Sequence, residues 1–401
     1  MAKRIAASQD RKGAAICLVF SSPAAQVGNT TSIHVAALIQ LVKPSVGNIY
    51  VITSMNESQD SLLDNRVHFI GNVACPNAGA PILSAIFGEL RAQIQIARGL
   101  LFLSNDVKII FWRGRSSTFV LPLLLARLKG KKSILFVESK GSELVREVYQ
   151  GLLGIRGFIL SQIYKVVENA THYLADTLVS NVPSLPKQPW LTKYKNKVFP
   201  LPVTDNFIKS NFQLCKPLSH RHTIVGYIGR MSHEKGVLNL VKAIPLIYGQ
   251  MSKVEFFLAG GGPLLHQVKS ELTLPISQNQ VKVIDWIPHD EIPNYLNQIK
   301  LLVVPSYYES GAYIALEAMA CGTPVVASPV GALPDIITDG ETGFIMEDNS
   351  PDCISKNVLR ALKHPSLEQI SQNAHALVEE EYTYEAVQER WHKLLTSVSP
   401  E

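Results

Sequence analysis

The sequence predicts an α/β protein with two parallel sheets, one in each half of the chain. Three observations carry this. A length of 401 residues exceeds what one ordinary core organises. Short apolar runs alternate with amphipathic stretches throughout, the pattern of strands separated by helices. Apolar residues make up 46% of the chain and charged residues 18%, so both halves have enough to bury.

In the first half strands are expected at 14–20, 49–53, 67–70, 107–112 and 133–137, with a sixth at 172–175. In the second half they are expected at 223–228, 254–259, 281–284, 301–304, 325–327 and 343–346. Strands that alternate with helical patterns build βαβ units, and the strands of such units run parallel. The polar, aperiodic stretch 204–222 reads as the link between halves, and helical patterns at 350–363, 366–380 and 382–396 close the chain.

Five cysteines, Cys17, Cys75, Cys215, Cys321 and Cys353, are far apart and form no C-x-x-C pair. That count and spacing point to free thiols in a reducing cytoplasm, not to a disulfide frame or a zinc site. The basic N-terminus precedes an apolar run from Ala14 to Phe20, but Asp10 interrupts the basic region and Ser21 and Ser22 end the run, so a first buried strand is expected. No uncharged apolar run reaches the length of a membrane span, and the chain is not expected to cross one. Charge is uneven: residues 1–200 carry 23 Lys+Arg against 11 Asp+Glu, a balance of +12, and residues 201–401 carry 15 against 22, a balance of −7. A basic half suits anionic partners such as an acidic lipid surface, beside the plainer reading of a solvated basic face.

Residues 305–334 are the most informative stretch. Glu309 and Glu317 lie eight apart, the first in a polar loop after a strand and the second inside a helical run. Gly322, Thr323 and Pro324 then lead into the next strand, completing a βαβ unit. Open parallel sheets bind ligands at the carboxyl ends of their strands. A helix starting near Gly311 would direct its free N–H groups from Gly311, Ala312 and Tyr313 into that crevice, where they suit a phosphate. Earlier in the second half, Gly229 permits a tight exit from a strand, and Arg230 and Lys235 bracket the loop before the next helix. A planar guanidinium and a mobile ammonium can together hold a diphosphate without metal, although each taken alone reads more readily as a loop-surface charge. Gly260, Gly261 and Gly262 with Pro263 make either a plain βα turn or a nucleotide contact. Trp286 and Ile287 either wall a base pocket or pack, and packing is expected.

These motifs in this order, G-R-x-x-x-x-K-G from Gly229, A-G-G-G-P from Ala259, P-S-x-x-E-x7-E-A-M-A-C-G-T-P from Pro305 and G-x-x-x-D from Gly331, resemble the donor domain of retaining glycosyltransferases of family 4. The likeness runs from about 198 to 395 and is weak before that. It implies a GT-B fold, with two Rossmann-like domains facing each other across a deep cleft. The acceptor-binding domain would be 1–204, with a closing helix 382–401 packing back on it, and the donor-binding domain 205–381. It further implies a nucleotide-diphosphate sugar, UDP- or GDP-linked, and transfer with retained anomeric configuration. Glu317 would accept from the ribose hydroxyls, Glu309 would hold a hydroxyl of the donor sugar, and Arg230 and Lys235 would neutralise the departing diphosphate. Gly229, Gly261 and the N–H groups of Gly311, Ala312 and Tyr313 would complete the donor site. No Asp-x-Asp pair is present, so no metal or other cofactor is expected and cations with a helix end take that part.

In the first half the resemblance offers Gly28, in the loop after the first strand, as a contact to the donor phosphate. Arg113, Glu138 and Lys140 lie at strand ends where the acceptor side would be. Many family members carry a histidine there and this chain has none. His34 and His172 read as helix-face or core histidines. Residues 152–167 fit either a membrane-surface helix or packing inside the domain, and packing is expected.

The resulting expectation is a metal-independent retaining glycosyltransferase acting on a glycan, lipid-linked or polysaccharide acceptor. It would be cytoplasmic or peripheral on the cytoplasmic membrane face, with no nucleic-acid partner. The alternative is a catalytically inert GT-B subunit that still binds nucleotide sugar, for which Ser310-Gly311-Ala312 in place of the family's usual G-F-G gives a reason. A glycosidase carboxylate pair is disfavoured because Glu317 sits in an alanine-rich helix face, and a nicotinamide dehydrogenase because no G-x-G-x-x-G follows the first strand.

Overall fold

Each half of the chain builds a six-stranded sheet in which every described pairing is parallel. The computed structural model describes residues 14–21, 29–53, 65–73, 82–114, 119–137, 142, 155–181, 183–184, 187–204, 207–309 and 311–399. The first sheet contains β1 (Ala15–Ser21), β2 (Ile49–Thr53), β3 (Val67–Asn72), β4 (Val107–Gly114), β5 (Lys132–Phe136) and β6 (Thr177–Val179), in the order β3-β2-β1-β4-β5-β6. The second contains β7 (Ile224–Ile228), β8 (Glu255–Ala259), β9 (Val281–Ile284), β10 (Leu301–Val304), β11 (Val325–Ala327) and β12 (Phe344–Ile345), in the order β12-β11-β10-β7-β8-β9. Read from β9, this is the same doubly wound order. Strand order reverses between β1 and β4 in one sheet and between β7 and β10 in the other, and such reversals open crevices at the strands' carboxyl ends.

Burial follows from the apolar runs. Strand β1 is buried along all seven residues, and β10 along all four. A strand covered by helices on both faces needs apolar side chains on both, which is why these read as continuous runs. The crossover helices include α1 (Asn29–Val42), α2 (Ile82–Leu101), α3 (Val120–Leu128), α4 (Ile155–Leu174) and α5 (Val237–Tyr248). The core of the second sheet joins Val225, Leu258, Val303 and Phe344 to Leu240 and Ile244 of α5.

Two expectations need correction. Residues 172–174 end helix α4, and the sixth strand begins at Thr177. Asp176 makes the break: its carboxylate accepts from the Ser133 N–H at 2.9 Å, and the β-branched Thr177 and Val179 then pair with β5. Apolar content alone could not distinguish the end of a helix from the start of a strand. Of the stretch 152–167, residues 152–154 lie outside the described residues, and packing inside the domain fails to account for the rest: Ser161 is buried while Phe158, Ile159, Ile163 and Val166 are exposed.

Contacts divide the chain into one unit of Met1–Asp205 with Gln388–Glu401 and another of Asn206–Val387. Within the first unit Trp391, from the last helix, sets its ring edge-on to Phe111 at 5.1 Å and donates Nε1–H to the Thr204 carbonyl at 2.7 Å. Within the second, the Ile208 N–H donates to the Tyr382 carbonyl at 2.8 Å. Cys17, Cys215, Cys321 and Cys353 are free thiols. Among the described residues no helix is long and apolar enough to cross a membrane.

Candidate active site

The second-unit candidates lie on the two loops that leave β7 and β10, the strands at the reversal. After β7 the chain runs through Gly229 and Arg230 into a short 3-10 turn, His233–Lys235, and then α5. Its path is fixed by the loop after β8: Met231 N–H donates to the Gly261 carbonyl at 2.8 Å and Leu264 N–H to the Met231 carbonyl at 2.9 Å. The two loops touch so closely that a Cβ on Gly260 would lie 1.9 Å from the Gly229 carbonyl oxygen, and one on Gly262 2.4 Å from that of Met231. Only glycine fits at either place, and both hold positive φ, 139° and 148°. The glycine triplet is thus first a lacing device, and Gly261 contributes its carbonyl to it. Arg230 is exposed, and its carbonyl accepts from the buried Tyr227 hydroxyl at 2.7 Å.

After β10 come Pro305, Ser306, Tyr307, Tyr308 and Glu309. Lys235 Nζ donates to Glu309 Oε2 at 2.7 Å, and Ser306 Oγ donates to the same oxygen at 3.2 Å. The Glu309 side chain is 9% exposed and that of Lys235 30%, so the carboxylate is walled in while the ammonium still reaches solvent. Gly236, at φ 66°, brings the start of α5 onto this loop: a Cβ there would meet the Pro305 carbonyl oxygen at 1.8 Å. The Glu234 carbonyl accepts from Tyr307 N–H at 2.9 Å, and the Tyr307 ring stacks on His233 at 5.2 Å. Asn239 donates to the Tyr307 hydroxyl, and Asn349 to the Pro305 carbonyl. The Glu234 carboxyl is held below its usual range, chiefly by the Ser232 hydroxyl and further by Arg230 and Lys235. From behind, Gly331 packs so tightly on the Glu309 backbone that a Cβ would lie 1.5 Å from its carbonyl oxygen.

Helix α9 (Tyr313–Ala320) follows; α6 (Leu265–Glu271), α7 (Thr273–Ser277) and α8 (Ile292–Leu296) precede it in the chain. Its N-cap, Ala312, is buried with φ 48°, a left-handed conformation that glycine adopts at less cost. Here the departure from G-F-G has a physical content: the backbone keeps the conformation of a glycine and bears an alanine's strain. A Cβ on Gly311 would strike the Tyr313 ring at 2.2 Å. Glu317, in the second turn of α9, is 12% exposed and accepts at Oε1 from His289 Nε2 at 2.8 Å. His289 opens the 3-10 turn after β9, with Lys209 Nζ at 3.3 Å from its Nδ1 and the Phe212 ring at 5.3 Å. An ammonium can only donate, so Nδ1 accepts and the proton sits on Nε2, aimed at Glu317. His289, Lys209 and Ser306 are the site residues that sequence reasoning missed. Only His289 carried a signal, a histidine directly after Pro288 at a strand's carboxyl end.

In the first unit, Arg113 sits at the carboxyl end of β4, where Phe20 and Ser21 of β1 pair with Arg113 and Gly114. Its guanidinium lies over the Phe136 ring at 4.7 Å. Gly28, Glu138 and Lys140 fall outside the described residues. His172 is fully buried between Trp190 and Tyr194, a core histidine. Ile287 is buried as expected, but Trp286 is 71% exposed; packing does not hold it. Among the described residues no cluster of three His, Cys, Asp or Glu could hold a metal ion.

Two doubly wound parallel sheets of six strands, with cations and a buried carboxylate at one reversal, fit the GT-B fold. Residues 216–377 match the family described as glycosyl transferases group 1. It is 29% identical over 180 residues to an uncharacterized glycosyltransferase of Methanocaldococcus jannaschii, covering 45% of this chain and 46% of that one. It is 34% identical over 135 residues to the alpha-maltose-1-phosphate synthase of Mycolicibacterium smegmatis, covering 32% and 34%. The chain thus spans less than half the length of these curated relatives. Its fold is similar to that of the Anabaena protein HepE, solved in complex with UDP, with a TM-score of 0.69, 15% identity and coverage of 95% and 99%.

Proposed function

We propose that the protein is a retaining glycosyltransferase that moves a sugar from a nucleotide-diphosphate sugar to a glycan, lipid-linked or polysaccharide acceptor without a metal ion. The observation that carries this is Lys235 held 2.7 Å from the walled-in Glu309 at the strand reversal, beside the N-terminus of α9. In this reading the bond from the sugar's C1 to the diphosphate oxygen breaks and the acceptor oxygen bonds to C1 on the same face. The acceptor's proton goes to the departing diphosphate. Negative charge grows on that diphosphate, and Arg230, Lys235 and the amides of Gly311, Ala312 and Tyr313 are groups suited to meet it. Gly229 and Gly261 keep the loop backbone open for close approach. Glu309 accepts a hydroxyl of the donor sugar and Glu317 those of the ribose, with the His289 N–H fixing the Glu317 carboxylate. Arg113 is the acceptor-side candidate among the described residues. UDP or GDP as carrier, and a place in the cytoplasm, complete the proposal; the UDP-bound relative of the same fold supports the first and the four free thiols the second.

A thermal-shift panel of nucleotide sugars tests it, because a ligand that binds the native state raises the melting temperature. The parental protein should respond to one carrier, and Glu317→Ala should abolish that response. A Glu317→Ala enzyme that binds donor and transfers sugar as the parent does would refute the site. Donor binding with no donor hydrolysis in the absence of acceptor would instead favour an inert subunit.

A further inference from the structure

The first unit carries a feature that donor chemistry does not use. Helices α2, α3 and α4 are the connections β3 to β4, β4 to β5 and β5 to β6. All three connections advance in the same direction across the sheet, so crossovers of one hand place the three helices on the same face. They are in contact side by side, α2 with α3 and α3 with α4, and the Leu121 N–H of α3 donates to Gln93 Oε1 of α2 at 3.0 Å.

All three turn apolar stripes to solvent at helical spacing. On α2 the exposed large apolar residues are Ile86, Phe87, Leu90, Ile94 and Leu101. On α3 they are Leu121, Leu124 and Leu128, while Pro122, Leu123 and Ala126 face inward. Helix α4 goes further and is inverted, with polar groups in its buried positions and Ile159, Ile163 and Val166 outside. Exposures of 68% at Phe87, 85% at Leu128 and 69% at Val166 show that no described part of the chain covers the stripes. Scattered exposed apolar residues need no explanation, but three adjacent stripes mark an interaction surface.

Charge indicates what lies against it. Exposed Arg91, Arg98, Arg127 and Lys165 stand on these same helices, against the one acidic residue Glu89 on α2 and the buried Glu168 on α4. Residues 82–132 hold nine Lys+Arg and two Asp+Glu. Lys129 donates to the Leu100 carbonyl and Lys197 to the Ala175 carbonyl, so cations also crown the ends of α2 and α4. Apolar stripes set among cations fit an interface of acyl chains and anionic headgroups, where leucine and phenylalanine enter the apolar boundary and arginine and lysine meet phosphate. A second copy of the chain would bring the same positive field against itself.

We propose that the outward face of α2, α3 and α4 docks the protein on an anionic lipid bilayer. This goes beyond the donor reading and does not depend on it, since docking needs no nucleotide sugar.

The test is co-sedimentation of the full chain with vesicles of phosphatidylcholine alone or mixed with phosphatidylglycerol, at low and high salt. Binding should require phosphatidylglycerol and weaken with salt. Arg91→Gln, Arg98→Gln and Arg127→Gln should each lower partitioning about fivefold. The combined variant Phe87→Ser, Leu128→Ser and Val166→Ser should lose binding to the phosphatidylglycerol vesicles. These are exposed positions, and unchanged circular dichroism and UDP binding would show that the fold persists. Equal binding to both lipids, or partitioning that none of the substitutions alters, overturns the proposal. So does a parental dimer in sedimentation velocity that the triple serine variant converts to monomer, which would make the face a contact between copies.

Discussion

Lys235 and Glu309 give a prediction in which removing either partner lowers stability but the two removals change diphosphate binding in opposite directions. The pair is asymmetric: Nζ and Oε2 are 2.7 Å apart, but the carboxylate side chain is 9% exposed and the ammonium side chain 30%. Lys235→Ala leaves a walled-in carboxylate with, among the described residues, the Ser306 hydroxyl alone, and should destabilise the protein by about 3 kcal/mol. Glu309→Gln leaves a cation that already reaches water, and should cost about 1 kcal/mol. A double-mutant cycle by urea unfolding should return a coupling of about 2 kcal/mol. Binding of UDP or GDP, by titration calorimetry, then separates the roles. Removing Lys235 deletes a charge-assisted contact to the diphosphate and should weaken binding by about 2 kcal/mol, roughly thirtyfold. Glu309→Gln removes a negative charge beside the same cation, so nucleoside-diphosphate affinity should rise a few-fold even as sugar transfer falls. If Glu309→Gln weakened the diphosphate as much as Lys235→Ala did, Lys235 would not face the phosphate and the site reasoning would be wrong.

Arg221 and His172 supply two further predictions. Arg221 is 5% exposed and donates to the carbonyls of Lys216, Leu296, Ile299 and Cys321 and to the Thr323 hydroxyl. Burial draws its pKa down to about 10. It faces the carboxyl end of α9 in place of an acidic residue, and helix-end carbonyls supply the negative partner. Arg221→Met should cost about 4 kcal/mol and lower the melting temperature by roughly 10 °C, and a shift within about 2 °C would show those carbonyls find other donors. Burial, with a smaller push from Lys193, draws His172 down from 6.5 to about 4. The unfolded chain therefore binds the extra proton first, so stability is full above about pH 6.5 and is lost as pH falls toward about 4. Acidifying from about pH 7.5 to about pH 4.5 should remove about 2.5 kcal/mol through this group. Chemical denaturation of the parent and of His172→Phe at both pH values should show a flatter response in the variant, and identical slopes would exclude His172 as the source.

Eleven of the twelve described strands were legible because each is a buried apolar run bounded by polar turns, and burial on both faces writes itself into consecutive residues. The exception, at 172–175, shows where that signal fails: an apolar segment ending a helix has the same composition as one entering a sheet. The candidate site was legible in part for a different reason. Arg230, Lys235, Glu309 and Glu317 stand at fixed offsets from strand ends, and offsets survive in a linear pattern. His289 was not legible, because its contact with Glu317 joins residues 28 apart in the chain.

By itself the sequence determined the two parallel sheets, the loops that bear the charged groups, and the resemblance to a glycosyltransferase donor domain. These follow from local periodicity and from spacing along one chain. Only the tertiary structure decided that Lys235 rests on Glu309, that Gly260 and Gly262 serve to lace two loops, and that α4 turns its apolar side outward. Each of those is a matter of which surfaces meet after folding, and a one-dimensional pattern records what a helix carries on each face but not which face the protein covers.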